Sequence, residues 1–343
     1  MQVPVAAIIP PREPNVTNPT LELLLLGGAT LVASAAACAL TLKGLLRWAV
    51  IDLPNQRSSH THPTPRGGGL GFMVVVLAGW TALWLTGSAD SNPVVVAGAV
   101  AVTAVSFVDD LRAVPFGIRL TVQAAAVFLA LAAFPSNAPI LADFLPLVVD
   151  RIVVGLAWLW FINLFNFMDG IDGIAAGEAA VIAFGLVILV AFHPVLGALG
   201  PEAIVIGAAV AGFLLFNWPP ARMFMGDVGS TGLGFLLGWL LLAAAAKGAL
   251  IPALLLPLYF LADASATLLS RAWRGKPLTQ AHRDHAYQNA VDKGASHTLV
   301  SSLVIAVGVV LIGLANLAMT LPILGLGLGL ALTAAFLAWL RLR

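Results

Sequence analysis

The sequence predicts an all-α polytopic membrane protein with about 11 transmembrane helices. Three observations predict it. Of 343 residues, 60% are hydrophobic and only 10% charged, and the mean hydropathy is +0.99. A soluble globular domain is about 45–50% apolar and about 25% charged. The apolar residues fall into runs near the ~20 residues that a helix needs to cross a ~30 Å hydrocarbon core. Those runs are apolar on every face, whereas barrel strands would be about 10 residues long and strictly alternating. The net charge of +1 gives no basic surface for nucleic acid, and the single cysteine, Cys38, allows no intramolecular disulfide.

In chain order the spans are expected near 22–42, 69–87, 93–108, 118–135, 152–168, 173–193, 202–217, 229–246, 249–270, 298–318 and 321–340. The runs at 93–108 and 202–217 are short for a span. Breaks between runs are rich in Pro, Gly, Asn, Asp and Arg, as loops should be. Residues 1–20 read as a flexible tail without a small-residue cleavage site. Residues 21–343 read as a single transmembrane domain, without repeats or low-complexity segments. Fourteen of the 17 Lys and Arg residues fall on one side, and only Arg12, Arg151 and Lys247 on the other. The positive-inside rule makes the basic side cytoplasmic, with the N-terminus periplasmic and the C-terminus cytoplasmic.

Five polar clusters sit at span ends, and all fall on that basic side. The opposite loops hold only scattered residues such as Asp90, Asp143, Asp150 and Glu202. Helix capping alone would place clusters on both sides, so the asymmetry points to a site at one membrane interface. SFVDDLR ends the third span with Asp109 and Asp110. Adjacent carboxylates repel unless a cation intervenes. Either a divalent metal or its phosphates call for the pair, or Arg112 is an ion-pair partner at a solvated helix end.

NLFNFMDGIDG places Asn163, Asn166 and Asp169 three residues apart, a slowly drifting stripe on one helix face. Asp172 follows where Gly170 and Gly173 break the helix. Such groups at the end of an apolar helix must face a cavity, a metal or one another. FNWPPARMFMGDVGS carries Asn217 and Asp227 around a Pro-Pro turn. The N–H groups opening the next helix suit an anion, and Asp227 also reads as that helix's own cap. DLPNQRSSHTHPTPRGGG holds Arg57, Arg66, His60 and His62 before a triple glycine. Guanidinium forks and free backbone N–H groups are phosphate chemistry, though a basic loop also meets anionic headgroups. HRDHAYQ supplies His282, Arg283 and His285, the two histidines sharing a face if helical and suiting a pyrophosphate or lipid phosphate. Asp263 and Glu178 are further acids inside spans.

Together SFVDDL, NLFNFMDGIDG, NWPPARMFMGDVGS and HRDHAYQ, in this order, resemble the polyprenyl-phosphate N-acetylhexosamine-1-phosphate transferases. That superfamily includes phospho-N-acetylmuramoyl-pentapeptide transferase. The resemblance runs from about residue 22 to 340. The Arg66 loop and HRDHAYQ look more like the branch that initiates O-antigen synthesis. What it implies is carried over by position. Asp109, Asp110, Asp169 and Asp172 take catalytic roles, one of the first pair handling the lipid phosphate. Asp227 coordinates Mg²⁺, with Mn²⁺ as a substitute. Asn166 and Asn217 belong to the nucleotide site, and His282, Arg283 and His285 with Arg66 to diphosphate and sugar binding. Where the peptidoglycan branch has a lysine three residues after the acid pair, this chain has Ala113.

The implied partners are the lipid bilayer, undecaprenyl phosphate, a UDP-N-acetylaminosugar and a second copy in a homodimer, and no nucleic acid. The implied reaction gives undecaprenyl-diphospho-sugar and UMP at the cytoplasmic face of a bacterial inner membrane. It opens lipopolysaccharide or another cell-surface polysaccharide. Single displacement is the more economical course, with a hydrophobic groove for the lipid opening beside Asp109. The alternative class is a secondary transporter with an intramembrane acidic site, whose polar groups would sit near the midplane. A third reading is a zinc site at His60, His62, His282 and His285.

Overall fold

The computed structural model describes residues 19–54, 62–89, 91–134, 139–141, 145–277 and 282–342. The expected tail at 1–20 lies almost wholly outside them, as do Arg57 and His60. Helices α1 (Pro19–Arg47), α2 (Gly69–Thr86), α3 (Pro93–Leu111), α4 (Phe116–Ala132), α5 (Leu147–Phe167), α6 (Ile174–Phe192), α7 (Gly200–Asn217) and α8 (Asp227–Ala244) come first. They are followed by α9 (Leu250–Leu255), α10 (Leu258–Trp273), α11 (Ala286–Asp292), α12 (His297–Ala318) and α13 (Pro322–Leu342). Among the described residues nine helical stretches are long and apolar enough to cross a membrane, and α4 is a shorter apolar helix. Large apolar side chains such as Leu24, Val32 and Leu40 on α1 are exposed, as on a surface solvated by lipid. The chain is an all-α multi-pass membrane protein.

Two of the expected spans looked short, and both are longer in the structure. Asn92 caps α3 by accepting from Val94 N–H at 2.9 Å, with Pro93 at the first position. This is a strong start signal, and α3 runs to Leu111 through both aspartates. α7 is extended by a 3₁₀ turn, Pro194–Leu199, giving a stretch of 24 residues. The span expected at 249–270 is instead two helices. The chain turns at Gly248, just past the end of α8, where φ is +90°, and Pro257 then separates α9 from α10, because it lacks an N–H and its ring crowds the preceding turn.

α8 lies at the centre, packed against α2, α3, α5 and α9, and its side chains are buried along nearly the whole length. Its start is stitched to the first loop. Strand β1 (Ile51–Asp52) pairs antiparallel with β2 (Thr64–Pro65). Phe224 N–H then donates to Pro65 O at 2.8 Å, and Gly68 and Gly69 N–H donate to Phe224 O and Met225 O at 2.9 and 2.8 Å. Those glycine donors therefore hold loop to loop and are not free for a phosphate. α2 and α8 begin in direct backbone contact: a Cβ on Gly69 would stand 2.4 Å from Gly229 Cα. Gly69→Ala is expected to cost about 1–3 kcal/mol or more and to lower the thermal midpoint of detergent-purified protein. Gly28→Ala, with open space around its Cβ, should leave the midpoint in place. Equal midpoints for the two variants would contradict this contact.

Candidate active site

The two aspartates that end α3 diverge, as neighbours ~100° apart on a helix must. Asp110, with its side chain 1% exposed, accepts from the backbone N–H of Asp227 at 3.0 Å and of Val228 at 2.9 Å. It caps α8 from a neighbouring helix, so the anion suited to that helix end is supplied by the chain itself. The approach needs Gly226, whose φ is +74° and whose Cβ would meet Asp110 Oδ2 at 2.6 Å. Asp109 turns the other way. It accepts from Val114 N–H at 2.7 Å and pairs with Arg119. Arg112, the partner considered from sequence, is exposed.

Asp227 joins the two arms. Its Oδ1 accepts from Arg66 Nη2 at 2.8 Å, and its Oδ2 from Arg119 Nη1 at 3.0 Å. Arg66 Nε also stands 2.9 Å from Asp110 Oδ1. Burial favours the neutral form of Arg66, but Asp227, Asp110 and Asp52 outweigh it and hold the guanidinium charged. Asp169, just past the end of α5, completes the group. Burial pushes its carboxyl up to about 7, and the carboxylates of Asp227, Asp110 and Asp172 push the same way against Arg66. Three acids thus share two guanidiniums with Asp169 close enough to feel them, and the excess of carboxylates suits a cation. The donors are hard carboxylate oxygens, and Mg²⁺ is bound by one or two of these together with waters and substrate phosphates. Asp227 and Asp109, which meet at Arg119 Nη1, fit that requirement. Among the described residues no group of three or more His, Cys, Asp and Glu side chains is set to hold a metal, which is where the zinc reading stands for His62, His282 and His285.

The α5–α6 loop is braced from below by two residues that the sequence placed in the site. Asn217 Oδ1 accepts from Gly173 N–H and its Nδ2 donates to Met223 O, both at 3.1 Å. Asp172 Oδ2 accepts from Ala221 N–H at 3.0 Å, and its Oδ1 stands 3.4 Å from His297 Nδ1. Both residues spend their side chains on locking the α5–α6 loop to the α7–α8 loop. Arg283 is likewise engaged elsewhere, with Asp292 at the end of α11.

Beside the acids opens a cavity of about 640 Å³. Phe116, Leu156 and Trp160 are among its apolar walls, while Arg119, Asn166, His282 and His285 belong to its polar lining. Asp109, beside which a groove was expected, is not in its lining, but Arg119, which pairs with Asp109, links the cavity to the acids. Arg119 was missed from sequence, where an arginine opening a span reads as an interfacial anchor. The signal was available: a short α3–α4 connection sets the first turn of α4 against the last turn of α3.

His282 and His285 do not share a helix face. They lie in an extended lead-in to α11, with ring centroids 5.0 Å apart. Asp263, the unexplained acid of the tenth helix, holds them there. It accepts twice from Ala286 N–H, at 2.9 and 3.1 Å, and from the hydroxyls of Tyr259 and Thr267, both at 3.2 Å. Glu178, buried in α6, has no hydrogen-bond partner among the described residues. Burial pulls both histidines down to about 4, helped by Arg271, so they are neutral donors and acceptors at working pH.

Below about pH 6.5 the unfolded chain takes up protons that these histidines refuse in the folded state. Their contribution to stability is full above that pH and is lost as pH falls toward 4. For His285, 2% exposed, it amounts to at most about 3 kcal/mol. The thermal midpoint should fall between pH 7 and 4.5, and His285→Gln should make the fall shallower. Superimposable profiles would show that His285 carries none of it.

Residues 92–245, which hold Asp109, Asp110, Asp169, Asp172, Asn217 and Asp227, match the family described as glycosyl transferase family 4. That match spans a little under half of the chain. It is 26% identical to a probable undecaprenyl-phosphate N-acetylglucosaminyl 1-phosphate transferase of Bacillus subtilis, over 75% of this chain and 74% of that protein. It is 28% identical to the decaprenyl-phosphate N-acetylglucosaminephosphotransferase of Mycolicibacterium smegmatis, over 94% of this chain and 90% of that one. It is also 28% identical to a phospho-N-acetylmuramoyl-pentapeptide-transferase of Deinococcus radiodurans, over 50% of this chain and 59% of that relative. The acid cluster and the amphipathic cavity lie within or beside the matched region.

Proposed function

We propose that this protein is a member of glycosyl transferase family 4 that transfers an N-acetylaminosugar 1-phosphate from a UDP-sugar to undecaprenyl phosphate, giving undecaprenyl-diphospho-sugar and UMP. The observation that carries the reading is the meeting of Asp109, Asp110 and Asp227 with Arg66 and Arg119 beside an amphipathic cavity. A cavity with apolar walls and a charged corner suits a lipid phosphate, whose chain stays in the bilayer while its head meets a soluble nucleotide. An oxygen of the lipid phosphate attacks the β-phosphorus of the donor. The bond from that phosphorus to the bridging oxygen breaks, and UMP leaves with the oxygen. A phosphate monoester has its second pKa near ~6, so the nucleophile needs no strong base at neutral pH. The larger barrier is the approach of two anions.

Arg66 and Arg119 supply fixed positive charge to that approach and leave their carboxylates as phosphates arrive. Asp227, with Asp109 beside it, would hold Mg²⁺, which when bound adds charge stabilisation on the diphosphate. Asp169 stands at the rim of the transfer position, and Asp110 keeps the start of α8 in register. Asn166, His282 and His285 hydrogen-bond the sugar phosphate from the cavity's polar side, while Asp172 and Asn217 keep the loops around it fixed. The basic bias of the loops on this side supports a cytoplasmic site in a bacterial inner membrane. The clustering of polar groups at one set of helix ends does not support a midplane transport site.

The two relatives that cover most of the chain are named for N-acetylglucosamine, so UDP-GlcNAc is the first donor to try. Purified protein is incubated with undecaprenyl phosphate and a panel of UDP-N-acetylaminosugars, reading UMP with and without Mg²⁺. UMP release that needs both the lipid and the ion is expected for one donor. No release with any donor would overturn the reading.

A further inference from the structure

A second hollow on the same face takes no part in the chemistry above. It measures about 350 Å³ and lies among the ends of α10, α11 and α13. Arg271, Arg274, Lys276, Lys293 and Arg341 line it, and among the described residues Asp284 is the one acid in its lining. Arg271, 7% exposed, is built into the floor: it pairs with Asp284, donates from Nη2 to Pro277 O at 2.7 Å and leaves Nε without a partner among the described residues. Lys276 Nζ stands 3.7 Å from the same Asp284. Lys293 donates to Arg341 O at 2.7 Å, which ties the end of α11 to the end of α13. One carboxylate is thus shared by two cations, and among the described residues no ion pair reaches Arg274, Lys293 or Arg341. Like charges gathered in a concave, partly desolvated site repel unless an anion joins them.

The surroundings favour an anion that carries a hydrocarbon chain. Trp273, at the end of α10, is 93% exposed, and Leu269 and Leu342 on the same helix ends are exposed as well. An exposed tryptophan beside exposed leucines at the end of an amphipathic helix suits the headgroup level of a bilayer, and basic pockets between helices at that level suit lipid phosphates. We propose that this hollow binds the phosphate of an anionic phospholipid, with the acyl chains against the apolar residues exposed on α10 and α13. Asp284 stands between the hollow and the two cavity histidines. A phosphate drawn to Arg271 and Lys276 competes with Asp284 for both, so occupancy bears on the loop that carries His282 and His285.

The test uses the full chain in detergent, titrated separately with short-chain phosphatidylglycerol, short-chain phosphatidylcholine and inorganic phosphate, reading the thermal midpoint. A saturable upward shift with phosphatidylglycerol alone is expected. The double variant Arg274→Gln with Lys293→Gln should bind it about tenfold more weakly, while Lys43→Gln with Arg47→Gln, basic residues of another helix end, should bind it as wild type does. Asp227→Asn should keep the shift, which separates this site from the proposed reaction. Equal shifts with the two lipids in wild-type protein would overturn the proposal, as would an unchanged affinity in the Arg274 and Lys293 variant. If inorganic phosphate reproduces the shift at the same concentration, the phosphate chemistry stands and the lipid is overturned as its source.

Discussion

Asp227→Asn is expected to lower UMP release by about 10³-fold or more while the protein stays folded. The side chain stands where both arms of the cluster meet, with Arg66 on one oxygen and Arg119 on the other. Asparagine keeps one acceptor oxygen but loses the charge that a cation and its phosphates need. It also offers an amide N–H to a guanidinium, so one arm opens. The effect on stability is small, because the carboxylate is 16% exposed and both arginines are more exposed still. Partly solvated ion pairs contribute about 1 kcal/mol or less each. Assay in micelles with Mg²⁺, beside the thermal midpoint, reads the two effects separately. Turnover near that of wild type would remove Asp227 from the reaction, and a collapsed midpoint would make it a structural residue.

The acids at the helix ends were legible because of their solvent. An aspartate at the end of an apolar helix is expensive unless something answers it, so Asp109, Asp110 and Asp227 stand out against a chain that is 10% charged. The spans were legible for the same reason. Their bounds moved where local chemistry intervened: the Asn92 cap and Pro93 lengthened α3, and Pro257 divided the ninth span. What the residues face was far less legible. Asn217 and Asp172 look like ligands in a motif, yet their side chains bind backbone across the α5–α6 and α7–α8 loops. A polar side chain reads the same in sequence whether it meets a substrate or an orphan N–H, since both satisfy it.

The histidines show the converse. Their three-residue spacing suggested a helical face, but the segment is extended and the rings meet through its bend. Asp263, 22 positions upstream of His285, fixes that geometry by capping α11, a long-range partnership that no local period encodes. Arg119 was hidden because its role depends on a tight α3–α4 connection, and the length of a helix-end arginine's reach is a tertiary fact.

Asp110→Asn and Asp109→Asn are both expected to lose most transfer activity, and the structure separates their causes. Asp110 is buried and accepts from two backbone N–H groups and from Arg66. An asparagine there has one acceptor oxygen for two helix-end donors, and its NH₂ faces either the second donor or the guanidinium. A buried donor left unmet costs about 1–3 kcal/mol, and the negative charge favoured at the start of α8 is gone as well. The thermal midpoint should fall by about 5 °C. Asp109 is 12% exposed and holds one backbone donor, Val114 N–H, which an asparagine oxygen still accepts. Its midpoint should shift by about 1 °C or less, while the loss of charge beside Arg119 removes activity at an unchanged fold. The measurement is UMP release and thermal midpoint for both variants in the same micelles. Activity of Asp110→Asn should recover in part on cooling, as a packing defect at the α8 start anneals, and that of Asp109→Asn should not. Identical midpoints would refute the capping role assigned to Asp110, because a carboxylate that braces a helix cannot lose its charge without loosening it.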